Sequence, residues 1–315
     1  MRIGLIGPPD DPQLQRLDTK LDARGAEAVW LDPTQDPSEL SVTLAVDETP
    51  SLQIDGEPVD DVAAWYARRL GLWDPILPDE PTPEQWDAFY DRYRSWHAAE
   101  TEKAITIGSI LEILAEASTV VNPPRSVYDH LRKSYQLARM EDAGVPVPAF
   151  QVTTDPEDAI AFAEQHDRVV YKPRGGRRHV LEVTPEVVRE RREAFDTEPV
   201  FLQRLVDGDH HRVFVIDDTI AAGRFRFDPD ERVDYRAAET EVEPVELADD
   251  VEELCRTARE ASQMTYTGLD LILDEEGDPW FLECNPSPMF AVFEDETGYP
   301  ISDRLADHLI AAGRA

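Results

Sequence analysis

The chain has 315 residues, enough for two or three small domains with real cores, and its 41% hydrophobic content is that of an ordinary globular protein. No apolar run is long enough to span a bilayer, and the N-terminus Met1-Arg2-Ile3-Gly4-Leu5-Ile6-Gly7 meets Pro8-Pro9 too early for a signal peptide, so a soluble, intracellular protein without a membrane partner is expected. Asp plus Glu number 66 against 31 Lys plus Arg, a net charge of -35 spread along the whole chain, which argues against nucleic acid as a partner because a phosphate backbone would be repelled.

That much like charge strains a compact fold in dilute salt. At molar salt the Debye length falls to about 3 Å and the repulsion is screened, so the expectation is a protein adapted to a salty cytoplasm, as in halophilic archaea. The only two cysteines, Cys255 and Cys284, form no CxxC pair and read as free thiols, not a zinc or redox site. Lysine occurs four times, as Lys20, Lys103, Lys133 and Lys172. The first two fall in helical stretches with easy structural readings.

Residues 2–7 predict a short strand and 13–24 a helix with Leu14, Leu17 and Leu21 at helical spacing. Gly25 ends it, and 28–31 form the next strand, a βαβ start typical of an α/β domain. Gly4 and Gly7 do not make a GxGxxG, so no dinucleotide site is inferred. Residues 42–46 and 51–54 read as a hairpin and 62–66 as another strand. Thr82-Pro83-Glu84-Gln85 offers an N-cap, proline at N1 and glutamine at N3 for a helix reaching about residue 117. Its stripe of Trp86, Phe89, Tyr90, Tyr93 and Trp96 reads as core. Residues 119–124 form a strand leaving this first domain.

Residues 126–143 predict one helix ended by Gly144, and Asp155-Pro156 caps the next, to about 166. Residues 169–172 and 180–183 are strands around the turn 173–178. Further strands are expected at 201–205, 212–216 and 219–227, a helix at 251–264, and a strand pair at 268–273 and 280–284.

The segment 280-WFLECNPSP-288 follows an apolar strand with a carboxylate and an amide two residues apart. The period of a strand points Glu283 and Asn285 the same way, and two oxygen donors aimed at one point suit a hard cation such as magnesium. A strand ending in a polar turn is the plain alternative. Lys133 reads alone as a helix surface cation, Gly175-Gly176 as a hairpin turn and Asp270 as a polar strand end; only Lys172, between Tyr171 and Pro173, resists a surface role.

Together, 133-KSYQLARMEDAGVPVP-148, 169-VVYKPRGGRRHV-180, 202-LQRLVDGDHHRVFVI-216 and 268-GLDLILDEEGDPWFLECNPSP-288 resemble the ATP-grasp superfamily, specifically the RimK-type ligases and the related microviridin-type peptide ligases. Asn122-Pro123-Pro124 and the tail 293-FEDETGYPI-301 share in the resemblance, which covers roughly residues 120–315; residues 1–118 are only loosely similar to the variable pre-grasp domain. The resemblance implies an α/β fold, α+β in its C-terminal part. It divides into a Rossmann-like pre-grasp domain (1–120), an ATP-grasp lid subdomain (121–200) and a core subdomain with the metal site (201–315).

It also implies ATP and Mg2+, or Mn2+, as cofactors. Lys133 and Lys172 would contact phosphates under a turn carrying Gly175 and Gly176, and backbone groups of Gln203, Arg204 and Leu205 would meet the adenine. Asp209 would hold the ribose, with His210 a competitor one register step away. Arg212 and Arg226 would face phosphate or acyl phosphate, and Asp270, Glu283 and Asn285 would bind the metal. The expected activity is carboxylate–amine ligation through an acyl phosphate on small-molecule or peptide substrates, with a homo-oligomer as one possible assembly. A kinase on the same fold and a non-catalytic nucleotide-binding protein are the alternatives. The turn departs from the family in Arg177, Arg178 and His179, and Pro288-Met289 replaces the usual Pro-Gly; Arg177 and Arg178 either recognise an acidic substrate or belong to the surface.

Overall fold

A computed structural model describes residues 1–36, 38–46, 50–70, 86–172, 181–193, 199–226 and 241–314. The chain divides into two units. The first comprises Met1–Arg125, Met289–Ala291 and Pro300–Ala315, and the second Ser126–Pro288 and Val292–Tyr299.

In chain order the first unit supplies β1 (Arg2–Ile6), α1 (Pro12–Asp22), β2 (Glu27–Leu31), β3 (Val42–Val46), β4 (Pro50–Ile54), β5 (Glu57–Pro58), β6 (Val62–Ala67), α2 (Trp86–Ala117) and β7 (Thr119–Val121). β2-β1-β6-β7 form a parallel sheet, and β3-β4-β5 a small antiparallel one. The predicted βαβ start is present. Asp11 caps α1 by accepting from the N–H groups of Gln13 and Leu14 at 2.9 and 3.3 Å, with Pro12 behind it. Leu14, Leu17 and Leu21 are fully buried. Gly4 is required by packing, since a Cβ there would sit 1.9 Å from the Trp65 ring.

Of the aromatic stripe predicted as core on α2, the side chains of Trp86, Phe89 and Tyr90 lie outside what is described. Tyr93 and Trp96 are half-buried and lie 6.0 Å apart, ring to ring. The buried face of α2 is Ile107, Ile110 and Leu111, spaced i, i+3, i+4. The N-cap residues 82–85 lie outside the described residues.

The second unit begins with α3 (Pro124–Leu131) and α4 (Lys133–Asp142). The single helix expected over 126–143 is broken at Arg132, whose φ of -97° and ψ of 62° are not helical. There follow β8 (Phe150–Thr153), α5 (Pro156–Gln165), β9 (Val169–Tyr171), β10 (Leu181–Glu182), α6 (Pro185–Glu190), β11 (Val200–Arg204), β12 (Asp209–Ile216), β13 (Thr219–Arg226), β14 (Glu241–Val245), α7 (Asp249–Ala261), β15 (Tyr266–Leu273), β16 (Pro279–Asn285) and α8 (Ala291–Thr297). The last helix, α9 (Ile301–Ala312), belongs to the first unit, where Lys20 of α1 and Arg24, just after that helix, pair with its Asp303 at 2.7 and 3.0 Å. Short, weakly patterned β8, α6 and β14 were not expected, nor were α8 and α9.

Two sheets build the second unit. β10-β9-β11-β8 is antiparallel and packs Leu202 and Val169 against Ala159 and Phe162 of α5. β14-β13-β12-β15-β16 is also antiparallel. One face buries Val213, Val215, Leu269, Leu271 and Cys284 with Met140 of α4 and Val251, Cys255 and Ala258 of α7. Among the described residues no helix is long and apolar enough to cross a membrane.

Candidate active site

The opposite face of the five-stranded sheet collects charge. Asp270 of β15 lies directly across from Glu283 of β16 and from Arg212 of β12. Two carboxylates facing each other across adjacent strands repel unless a cation sits with them. Arg212 supplies one, its Nε 2.7 Å from Asp270 Oδ1 and its Nη2 donating to Oδ2 at 3.3 Å. Lys133 supplies the second, donating from Nζ to Glu283 Oε2 at 2.6 Å.

Lys133 opens α4, where a positive charge meets the positive end of the helix dipole. A surface lysine gains nothing there; one directed at a carboxylate does. Burial alone would push the Glu283 carboxyl up, but Lys133, His130 and Arg212 outweigh it and hold the group well below the usual carboxylate range.

A β-bulge makes the arrangement possible. The register shifts after Asp270, which faces Glu283, so that Leu271 faces Phe281 and Leu282 is left over. In a regular strand Phe281 and Glu283 would share a face. The bulge sends Phe281 and Cys284 into the core and leaves Glu283 and Asn285 on the charged face. Asn285 faces Gly268, where a Cβ would lie 2.5 Å from Pro288 and 3.2 Å from Arg212 Nη1, so glycine is what lets the proline and the guanidinium close in. Asn285 Oδ1 accepts from the Ser287 N–H at 3.0 Å, and its backbone oxygen from Thr267 Oγ1 at 2.9 Å.

Period 2 along β12 puts His210 on the same face as Arg212, and Asp209 with His211 on the other. Burial first, then Lys172 and His211, push the His210 imidazole down to about 4. Lys172 follows β9 and donates its N–H to the Phe201 carbonyl at 3.1 Å. Lys133, Lys172, His210, Arg212, Asp270, Glu283 and Asn285 are therefore the predicted groups that this unit brings to one side of its sheet.

Two predicted residues lie elsewhere. Asp209 is bonded to Arg224 Nη1 at 3.0 Å, and Arg226 donates from Nε to Glu243 Oε2 at 2.7 Å. Arg226 is two residues from Arg224, which faces His211, so both arginines point away from Arg212. Asp209 and Arg226 therefore lie on the face of this sheet opposite Arg212, an alternation that a one-residue register step reverses.

Gln203 is buried in the β11 ladder. The Arg204 N–H donates to Ala149 O at 2.8 Å and the Leu205 N–H to Arg168 O at 3.0 Å, so those two donors are already engaged, and the Arg204 guanidinium lies 4.3 Å over the Trp280 ring. Gly175 and Gly176, with Arg177, Arg178 and His179, lie outside the described residues.

Among the described residues no three His, Cys, Asp or Glu side chains come together as a metal cage. The donor set is two carboxylates and an amide, all oxygen. That suits a hard cation completing its shell with nucleotide oxygens and water, and not a soft or borderline metal.

Sequence reasoning gave no role to His130 and Gln136. His130 Nδ1 donates to the Cys284 carbonyl at 2.9 Å, and Gln136 bonds both backbone groups of Cys284. The spacing Lys133-x-x-Gln136, one helical turn, is the signal that could have found the second; nothing in the sequence announces the break at Arg132 that admits the first.

Residues 129–309 match the profile of the RimK-like ATP-grasp domain. The tetrahydromethanopterin:alpha-L-glutamate ligase of Methanocaldococcus jannaschii is 25% identical over 216 residues, 64% of this chain and 73% of that one. The ATP-grasp ligase PsnB, solved with a phosphomimetic variant of its minimal precursor, Mg and ADP, is 32% identical over 99% of this chain and 98% of its own, with a TM-score of 0.84. The macrocyclase MdnC of Microcystis aeruginosa, solved with precursor peptide MdnA, is 19% identical with a TM-score of 0.80 over 98% of this chain and 99% of that one, a likeness of fold. The chain belongs to the RimK-like ATP-grasp family and is an ATP-dependent carboxylate–amine ligase.

Proposed function

We propose that this ligase activates a carboxylate of a peptide substrate as an acyl phosphate and joins it to an amine. The observation that carries the reading is the cross-strand pair Asp270–Glu283 with Arg212 and Lys133 interleaved. The peptide preference is supported by PsnB, which matches nearly end to end and was solved with a precursor, whereas the glutamate ligase matches 64% of this chain.

Asp270, Glu283 and Asn285 would hold Mg2+, which when bound neutralises phosphate oxygens and so favours transfer of the terminal phosphoryl. Lys133 and Lys172 meet the triphosphate. Arg212 sits where negative charge develops and needs no reorganisation, because Asp270 already fixes its plane. The substrate carboxylate oxygen bonds to the terminal phosphorus as the bond to ADP breaks. The amine nitrogen then attacks the acyl carbon, phosphate departs, and the amine loses a proton. His210, on the Arg212 face, is preferred over Asp209 for the ribose. The division at 120 and 200, a salty cytoplasm and action without nucleic acid or membrane belong to the same reading.

The test is ADP release in concentrated potassium chloride with magnesium, over acidic peptides and pooled amino acids, with hydroxylamine present. Carboxylate-dependent ADP with a trapped hydroxamate is expected. ADP without hydroxamate would replace the ligase half-reaction with a kinase. Circular dichroism after dialysis to low salt is expected to show loss of structure; an unchanged spectrum would remove the salt adaptation.

A further inference from the structure

Among the described residues β16 is an edge strand, so one row of its backbone groups has no strand there to bond. The Phe281 N–H donates to the Pro146 carbonyl at 2.9 Å. Cys284, the residue between Glu283 and Asn285, is served by a side chain. Gln136 Oε1 accepts from the Cys284 N–H at 3.0 Å, and Gln136 Nε2 donates to the Cys284 carbonyl at 2.8 Å. One amide thus does what a neighbouring strand would do, and its orientation is fixed because the two backbone groups need opposite partners. Gln136 is 2% exposed, and water does not compete for either bond.

The same carbonyl takes a second bond from His130 Nδ1. His130 and Gln136 are six residues apart, about 240° around a continuous helix at 3.6 residues per turn, and would face apart. The break at Arg132 brings both onto one oxygen. Below the peptide, the Cys284 side chain is fully buried with its sulfur 3.8 Å from Met140 Sδ. Lys133, Gln136 and Met140 lie at i, i+3 and i+7 of α4 and meet Glu283, the Cys284 backbone and the Cys284 sulfur in turn.

We infer that Gln136 is the positioning residue of the metal site: its amide clamps the Cys284 peptide against the bulge and so aims Glu283 and Asn285 at one point. This rests on the reading that those two residues bind Mg2+. The bulge makes a clamp necessary, since an irregular edge strand has a competing register in which the carboxylate turns away.

The experiment measures ADP binding by calorimetry with and without Mg2+, and hydrogen exchange of the Cys284 amide, in Gln136→Leu, Gln136→Glu and Glu283→Gln. Gln136→Leu removes both bonds at similar volume. Its apparent Mg2+ affinity is expected to weaken about 10- to 100-fold, with metal-free ADP binding retained and exchange at Cys284 accelerated. Should that variant fail to fold, Gln136→Glu keeps the acceptor but opposes an oxygen to the Cys284 carbonyl, and the same weakening is expected. Parental Mg2+ dependence in the folded variant overturns the proposal. If Glu283→Gln abolishes the Mg2+ effect in that case, the metal reading stands and only the clamp falls; if Glu283→Gln also leaves it unchanged, both fall.

Discussion

Arg212 and Arg226 lie on neighbouring strands of one sheet, and each meets a carboxylate. The side chains of Arg212 and Asp270 are only 16% and 10% exposed, on the face that also holds Glu283 and Lys133. Arg226 is 62% exposed and shares Glu243 with Arg224 on the other face. Water and salt screen the second pair almost completely; the first is held where charges interact strongly and where losing a partner strands a buried ion. The contrast separates a group of charges built to receive more charge from an ion pair that tidies a sheet edge. Two cations and two carboxylates balance in the buried group, so a divalent cation added there leaves it net positive and ready for phosphate.

Four substitutions test that contrast, beginning with the most damaging. Glu283→Gln should lower ADP release by about 10^3-fold, the scale of losing one fixed electrostatic partner of a transition state. The fold should persist in high salt, because the amide still accepts from Lys133. Parental turnover would move the metal site elsewhere.

Arg212→Met should cost about 3–5 kcal/mol of stability by leaving Asp270 buried without its cation. Denaturant midpoints in concentrated salt would show it, alongside a large fall in ADP release. Arg226→Met should leave the midpoint where it was, with Glu243 still bonded to Arg224, and should reduce turnover far less. Equal losses from the two variants would mean that Arg226 crosses to the other face during turnover.

His210→Gln shows its effect on stability only at acid pH. Folding drops the His210 pKa from 6.5 to about 4, so between those values the unfolded chain binds a proton that the folded chain does not. Stability therefore falls as pH drops through 6.5 towards 4, by up to about 3 kcal/mol at the bottom of the window, and is flat in this respect above it. The glutamine variant should lose that part of the slope. An identical acid limb in parent and variant would show that His210 is no more sheltered than Asp209 on the opposite face.

Much of this site was legible in the residues. Gly-Leu-Asp270 and Glu283-Cys-Asn285 signalled paired oxygen donors, and the scarcity of lysine drew attention to Lys133 and Lys172. The long helix reaching residue 117 was legible in the sequence, but not that Ile107, Ile110 and Leu111 would be its buried positions. The face on which a strand residue points was legible only to within one residue, because alternation converts a single step into the opposite side. The resemblance grouped Asp209 and Arg226 with Arg212, and the alternation puts them on the other face of the sheet. β8, α6 and β14 are too short for periodicity to announce them.

The sequence by itself determined the family, the oxygen-rich character of the site and the cations that accompany it, since these follow from residue types and spacings that survive any small change of register. Tertiary structure decided the rest. The leftover Leu282 turns Phe281 inward and Glu283 outward, the break at Arg132 gathers His130 and Gln136 onto one carbonyl, and strand order makes β16 an edge that a helix must hold. Each depends on which backbone groups find partners across the fold, and local sequence carries no record of that pairing.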